Sequence, residues 1–434
     1  MNPQLQALRN GDLAGARELR ISDLDEFPRE IFELADSLEV LDLSGGALTD
    51  LPDDFGRLRK LRILFCSGNA FERLPPALGG CPSLSQIGFR KTGLQEIPGE
   101  SLPPSLRWLT LTDNAIEQLP TELGERPRLQ KLMLAGNRLH SLPESLAGAR
   151  NLELVRLSAN RFEALPRFLL ELPRLAWISW AGNPLERRLA SARAVDARWD
   201  DLAVGEQIGE GASGVVHRAL WRSASDAARP VALKLFKGAM TSDGSPDCEI
   251  AACLASGDHP HLTAALGRVT DHPDGLQALL MPLLSADWKT LAGPPSLSSC
   301  SRDVYDAQFA ISGAKAHRIA ESIAGAAAHL HDCGLLHGDL YAHNITWDER
   351  TADCVLGDFG AACVLPSGAD SDAWQRVEVR AFGVLLGELL DRADETSLPR
   401  ASALRALQQD CVRPLASQRP SMLDVVAALR DICP

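Results

Sequence analysis

Apolar positions recur along the first half of the chain in short bursts. Leu38, Leu41 and Leu43 set a spacing that returns from residues 61, 84, 106, 129, 152 and 175. Alternation over six residues, as in Leu38–Leu43, predicts a short strand with one buried face. Between the bursts the chain runs Leu-Pro, at Leu51-Pro52, Leu74-Pro75, Leu119-Pro120, Leu142-Pro143 and Leu165-Pro166. The pattern changes after residue 184. A charged helical stretch is expected over Leu185–Arg198, then strands at Val215–Leu220 and Val231–Leu235, a helix from Glu249 and a strand over Ala278–Leu284. Residues 285–310 are irregular and Ser/Pro-rich. Helices are expected over Ala314–Leu330 and Arg376–Leu390, with two short strands, Ile345–Trp347 and Cys354–Leu356, between them.

The early bursts carry an Asn at a fixed offset, Asn69, Asn114, Asn137, Asn160 and Asn183, with Gly46 and Thr92 interrupting that ladder. These features resemble the leucine-rich repeat family, whose period of 20 to 29 residues covers this one. One such unit cannot bury its own leucines, so neighbours must stack to complete the core, and an open end needs a cap. The helical Leu5–Ala16 and the unit starting at Leu19 are expected to supply it. Residues between the buried leucines fall into two columns on the concave face. Phe65, Trp108, Met133 and Trp177 are the large apolar members, and they suggest a protein partner or substrate bound there.

In the second half, Ile208-Gly209-Glu210-Gly211-Ala212-Ser213-Gly214 lies between two strands. A dinucleotide-binding turn has the same glycine spacing but needs a helix directly afterwards, whereas Val215–Leu220 has a strand's β-branched start and alternation. Farther on, His337-Gly338-Asp339-Leu340-Tyr341-Ala342-His343-Asn344 precedes the two short strands, and Asp358-Phe359-Gly360 follows them. Pairing those strands as an antiparallel hairpin sets Asn344 beside Asp358, an oxygen-donor pair suited to Mg²⁺. Asp339 then reaches the nucleophile that attacks a metal-bound phosphate.

Strand, glycine loop, strand and Val231-Ala232-Leu233-Lys234 together resemble the nucleotide-covering hairpin of protein kinases, and His337–Gly360 resembles their catalytic core. The likeness extends over about 200–434, ending with Gln418-Arg419-Pro420-Ser421. It implies an ATP pocket formed by Ile208, Gly209, Gly211, Gly214, Val216, Ala232 and Lys234, with the hinge at Pro282–Leu284 and Met281 gating it. The resemblance gives Lys234 the α- and β-phosphates and Glu249 the task of orienting it, with Asp247 as the other candidate. Asp339 becomes the catalytic base, and Asn344 and Asp358 the metal ligands. Four departures stand out. Gly338 replaces an arginine that grips a phosphorylated activation loop. Tyr341 and His343 occupy positions where kinases carry Lys or Arg, and a protonated His343 is the better phosphate contact. The segment from Asp358 to Glu378, which occupies the position of a conserved helix Asp, is short and lacks A-P-E. Arg419 therefore lacks its usual glutamate.

Composition excludes several classes. A hydrophobic content of 45% with 23% charged residues is that of a soluble globular chain, and no apolar run is long enough to span a membrane. The first residues show no basic stretch followed by an apolar core, so the expected location is cytoplasmic. A net charge of −13 argues against nucleic acid as a partner. The ten cysteines form no C-x-x-C pair and are expected to be reduced and mostly buried. None lies in the C-x-D spacing of a ubiquitin ligase joined to repeats. The expected fold is an α/β leucine-rich repeat solenoid over 1–184, a linker helix over 185–199 and a bilobal α+β protein-kinase-like domain over 200–434. The expected function is an ATP- and Mg²⁺-dependent kinase, serine/threonine preferred over tyrosine. The alternative is a pseudokinase scaffold that binds partners through the repeats and nucleotide through the kinase lobe.

Overall fold

The computed structural model describes residues 2–432 apart from 187–195, 212, 223–226, 242, 264, 369 and 395–399. By packing, the chain divides into two units, Met1–Leu175 and Ala176–Pro434.

The first unit holds seven three-residue strands: β1 (Glu18–Arg20), β2 (Val40–Asp42), β3 (Ile63–Phe65), β4 (Gln86–Gly88), β5 (Trp108–Thr110), β6 (Lys131–Met133) and β7 (Leu154–Arg156). They pair in parallel and in chain order, each one repeat away from the next, so that Val40, Ile63, Gln86, Trp108, Lys131 and Leu154 form one column. Their central residues, such as Leu41, Leu64, Leu109 and Leu132, are wholly buried. On the return leg, Pro52, Pro75, Pro120, Pro143 and Pro166 each sit in extended backbone immediately before a 3₁₀ turn. Proline's fixed φ favours that entry, and its missing N–H costs nothing at a helix start.

The Asn ladder closes the turns between strands. Asn137 Nδ2 donates to Leu111 O and Leu134 O, both at 2.9 Å, and its Oδ1 accepts from Ile116 N at 3.1 Å. Both interruptions are accommodated. A Cβ at Gly46 would lie 2.5 Å from Leu24 O, and Thr92 Oγ1 donates to Asn114 Oδ1 at 3.0 Å. At the start of the chain, α1 covers only Pro3–Arg9, capped by Asn2 Oδ1, rather than reaching Ala16. Gly11 and Gly15 adopt φ of +78° and +80°, a conformation in which the helix cannot continue.

The second unit opens with β8 (Trp177–Ser179), the strand at the last repeat position. Of the helix expected over 185–199, residues 187–195 lie outside the described ones, and Asp196–Arg198 forms a strand, β9, instead. It pairs in parallel with residues 268–270, which the alternation of a three-residue charged edge could not signal. The small-lobe sheet runs β10 (Leu202–Glu210), β11 (Gly214–Trp221), β12 (Arg229–Phe236), β14 (Ala278–Pro282), β13 (Gly267–Thr270) and β9. Its buried face carries Ala197, Ala219, Trp221, Val231, Leu233, Val269 and Leu280. Helix α2 (Pro246–Ala255) follows β12, and α3 (Gly313–Asp332), α4 (Ser371–Arg392), α5 (Ala401–Cys411) and α6 (Met422–Ile432) build the larger lobe. No helix among the described residues is long and apolar enough to cross a membrane. The described cysteines are thiols, with no disulfide among them.

Candidate active site

The glycine loop joins β10 to β11, with Gly209 opposite Val216, and Gly211 N–H donating to Gly214 O at 2.9 Å closes it. Gly214 must be small because a Cβ there would lie 2.5 Å from Leu235 O of β12, whereas Gly211 has open space around it. Opposite Val216 on the next strand stands Lys234. Its ammonium bonds to Glu249 Oε1 of α2 and lies 4.0 Å from Asp358 Oδ1. Asp247, the other candidate, faces elsewhere and accepts from Gln277 Nε2 at 2.6 Å. Burial opposes the Lys234 charge, but Asp358 and Glu249 outweigh it and hold its pKa above the ordinary lysine value. The Glu249 carboxyl is pushed up to about 7, chiefly by burial.

Ile345–Trp347 and Cys354–Leu356 pair antiparallel, with Ile345 opposite Leu356, and Gly357 N–H donates to Asn344 O at 2.8 Å. That register brings Asn344 and Asp358 to the same mouth. Asn344 Nδ2 donates at 2.8 Å to both the backbone oxygen and Oδ2 of Asp339, which fixes the amide and leaves its Oδ1 as an acceptor. Asp358 has a φ of +58°, and its Oδ1 accepts from Gly360 N at 3.2 Å. Behind the loop, the buried His337 bonds to Gly357 O at 2.9 Å, and its ring lies 5.3 Å from that of Phe359.

A cleft of about 650 Å³ gathers these groups. Ile208, Gly209, Gly211, Gly214, Val216, Ala232, Lys234, Glu249, Asn344 and Asp358 line it, with Met281 to Leu284 on its hinge side. Asp339 is not among the lining residues and joins the cleft through Asn344 and His343. No group of three or more His, Cys, Asp or Glu among the described residues is placed to hold a metal. The donor set at the hairpin mouth, one amide oxygen and one carboxylate, nevertheless fits Mg²⁺, which commonly takes one or two carboxylates and completes its shell with phosphates and water. His329 and His331, near Cys333, do not converge, since one bonds to Ser256 O and the other to Glu378.

Sequence reasoning missed Asp303, which sits in the irregular Ser/Pro-rich segment with no motif around it. Its carboxylate accepts from His343 N at 3.0 Å and pairs with His343 Nδ1 at 2.7 Å. The other ring nitrogen, Nε2, then lies 3.9 Å from Asp339 Oδ2. Burial works against the imidazolium, but the Asp303 bond and the charges of Asp339, Asp303 and Asp358 raise its pKa above 6.5. These contacts favour the imidazolium form beside the Asp339 carboxylate.

The departures have structural reasons. Gly338 has a φ of +72°, and a Cβ there would lie 2.5 Å from Ala361 O and 2.7 Å from Ile178 O, so no side chain fits. Its N–H donates to Glu378 Oε1 at 2.7 Å, and Glu378 Oε2 pairs with His331 at 2.8 Å. Tyr341 is buried against Trp177, so of the two residues considered for phosphate contact only His343 lines the cleft. The expectation that Trp177 is part of a free partner surface fails for the same reason. It is 1% exposed, stacked on Tyr341 with centroids 4.1 Å apart. Met133 is also buried, while Phe65 and Trp108 are half-buried. Arg419 donates to three backbone carbonyls, of Arg413, Arg376 and Pro414, and burial pushes its pKa down to about 9.

Residues 202–371 match the family described as protein tyrosine and serine/threonine kinase, and residues 104–162 the family described as leucine rich repeat. The non-receptor tyrosine-protein kinase TNK1 of Mus musculus is 31% identical over 147 residues, covering 32% of this chain and 20% of that protein. The disease resistance protein RFL1 of Arabidopsis thaliana is 38% identical over 93 residues, 21% of this chain and 10% of that protein. The probable serine/threonine-protein kinase gdt2 of Dictyostelium discoideum is 26% identical over 168 residues, 38% of this chain and 9% of that protein. The chain thus spans a fifth or less of the length of these relatives. With its parallel repeat strands, its glycine-loop sheet and the hairpin that follows, the chain carries a leucine rich repeat region followed by a protein tyrosine and serine/threonine kinase domain.

Proposed function

We propose that the second unit is an ATP- and Mg²⁺-dependent protein kinase, serine/threonine-directed in preference to tyrosine, acting in the cytoplasm. The observation that carries this reading is the cleft in which the glycine loop, the Lys234–Glu249 pair, Asn344 and Asp358 meet beside Asp339. Chance would not retain all of these groups in one geometry. Gly209 and Gly211 let backbone approach the triphosphate, and Lys234, fixed by Glu249, holds its α- and β-phosphates. Val216, Ala232 and Ile208 enclose the adenine against the hinge. Bound at Asn344 and Asp358, Mg²⁺ would shield the phosphate charge. Asp339 accepts the proton of the acceptor hydroxyl as that oxygen bonds to the γ-phosphorus and the bond to ADP breaks. His343, whose protonated form the Asp303 bond favours, supplies positive charge near the transferred group in place of the missing lysine.

The repeats would recruit the protein partner or substrate, as such repeats generally do, with Phe65 and Trp108 as the half-buried apolar members of the concave columns. A scaffold without catalysis is the second reading. The shortness of the chain between Asp358 and α4 favours it, because little is left there to dock a peptide. Transfer of labelled γ-phosphate to the protein itself or to a generic substrate decides between them. Transfer lost in Asp339→Asn, with ATP–Mg²⁺ binding retained, supports the kinase. A wild type that binds ATP–Mg²⁺ yet matches that variant supports the scaffold, and failure to bind nucleotide removes both.

A further inference from the structure

The stretch from Trp177 to Glu186 belongs to the second unit, and it grips the catalytic loop and the segment after D-F-G. Trp177 Nε1 donates to Leu340 O at 3.0 Å, and its ring lies flat on Tyr341, 7° from parallel. Tyr341 in turn leans on His343 at 5.0 Å, the ring beside Asp339. Val364, six residues after Asp358, is held at both of its backbone polar groups. Its oxygen accepts from Trp180 Nε1 at 2.9 Å, and its N–H donates to Glu186 Oε1 at 2.8 Å. The second oxygen of Glu186 accepts from Gly182 N at 2.7 Å, which locks the carboxylate.

We infer that residues 177–186 are a built-in brace that orders the catalytic loop and the post-D-F-G segment without phosphorylation, with Trp177 and Glu186 as positioning residues. The inference rests on the kinase reading above. Two observations require some such brace. Gly338 places no cation immediately before Asp339 to hold a phosphoryl group, and the close approach of Ala361 O and Ile178 O leaves no room for one at that position. Order in the segment must therefore come from fixed contacts, and neutral indole and carboxylate bonds to backbone supply them at all times. The stack gives the brace its route to chemistry, since Tyr341 is sandwiched between Trp177 and the ring next to the base. Small displacements of a catalytic group are costly, so loosening that stack slows transfer more than it weakens nucleotide binding.

The test uses the full chain, with Trp177→Ala, Trp177→Phe, Glu186→Gln and phosphatase-treated wild type. Labelled phosphate transfer gives kcat and KM for ATP, a fluorescent ATP analogue with Mg²⁺ gives Kd, and deuterium exchange follows residues 337–344 and 361–365. Trp177→Ala is expected to lower kcat roughly 10- to 100-fold with Kd for nucleotide within about two-fold of wild type. Trp177→Phe, which keeps a ring on Tyr341 but has no N–H, recovers part of the rate. Glu186→Gln speeds exchange at 361–365, and phosphatase treatment leaves the wild-type rate intact. Unchanged kcat in Trp177→Ala, a rate lost on phosphatase treatment, or parallel loss of nucleotide binding overturns the inference. Should wild type transfer no phosphate, the kinase reading falls by itself. Exchange then decides: faster exchange at 337–344 in Trp177→Ala supports the brace, and unchanged exchange sinks it.

Discussion

Restoring the family's arginine at Gly338 is expected to damage this protein. At a φ of +72°, any side chain adopts the left-handed region, which costs about 1 kcal/mol relative to glycine. The Cβ itself would lie 2.5 Å from Ala361 O and 2.7 Å from Ile178 O, both backbone atoms, and real Cβ contacts do not fall below 3.0 Å. Moving two backbone segments by that much is comparable to overpacking a core, about 1–3 kcal/mol. The sum, about 2–4 kcal/mol, lowers the melting temperature of the second unit by roughly 5–15 °C at the slope usual for large domains. Gly338→Ala carries the same Cβ and isolates this cost, and Gly338→Arg adds the longer side chain. Calorimetry of the full chain, with the transition that shifts on adding ATP and Mg²⁺ assigned to the second unit, measures both. A Gly338→Arg protein that melts within about 2 °C of wild type would refute the steric argument, because about 1 kcal/mol cannot contain both terms.

Other expectations follow from particular contacts. Asn137→Ala removes two bonds to buried carbonyls and one from Ile116 N, so urea unfolding should show a loss of about 2–4 kcal/mol. A loss under about 0.5 kcal/mol would mean the turn repacks. His343, whose folded pKa is raised above 6.5, adds stability that is fully present below pH 6.5 and is lost as pH rises through the higher folded value. The stability difference between wild type and Asp303→Asn should therefore shrink with rising pH above 6.5. A difference that stays flat in chemical denaturation from pH 6 upward removes Asp303 as the source of the shift. Lys234→Met should weaken nucleotide binding and also destabilise the fold, because it strands the Glu249 carboxylate in the interior. Binding without any stability loss would argue against the buried pair.

What the sequence could and could not disclose follows from how each feature is encoded. The repeat strands were legible because a leucine spacing repeated along the chain leaves little choice of register. So was the hairpin, since two apolar triplets flanking a polar turn pair in only one way. The choice between Glu249 and Asp247 was harder. Both stand in the first turn of α2, and only the helix phase decides which faces β12. Asp303 carried no signal at all, because a carboxylate in an irregular segment acquires its meaning from a His forty residues away. Trp177 misled in the opposite sense. Its position in the strand marks a concave-face residue like Trp108, and nothing local says that Tyr341 covers it. The helix expected over 185–199 failed at Asp196–Arg198 because one apolar residue between two charges suits an edge strand as well as a helix.

The departures from the kinase pattern make sense as a set. In the family pattern the arginine before the catalytic Asp and the A-P-E glutamate anchor opposite ends of a long activation segment. Here the segment between Asp358 and α4 is short, Cys363–Val364 within it pair with Leu335–Leu336, and both anchors are absent. Glu378 and Arg419 both bond to backbone here. Glu378, one methylene longer than the usual Asp, reaches Gly338 N with one oxygen and His331 with the other, and those contacts lower its pKa against the opposing effect of burial. Arg419 spends its guanidinium on three carbonyls around Pro414 without a carboxylate, which is why burial depresses its pKa. Returning a glutamate to the segment would therefore not rebuild the lost ion pair. The Arg419 guanidinium already donates to three carbonyls.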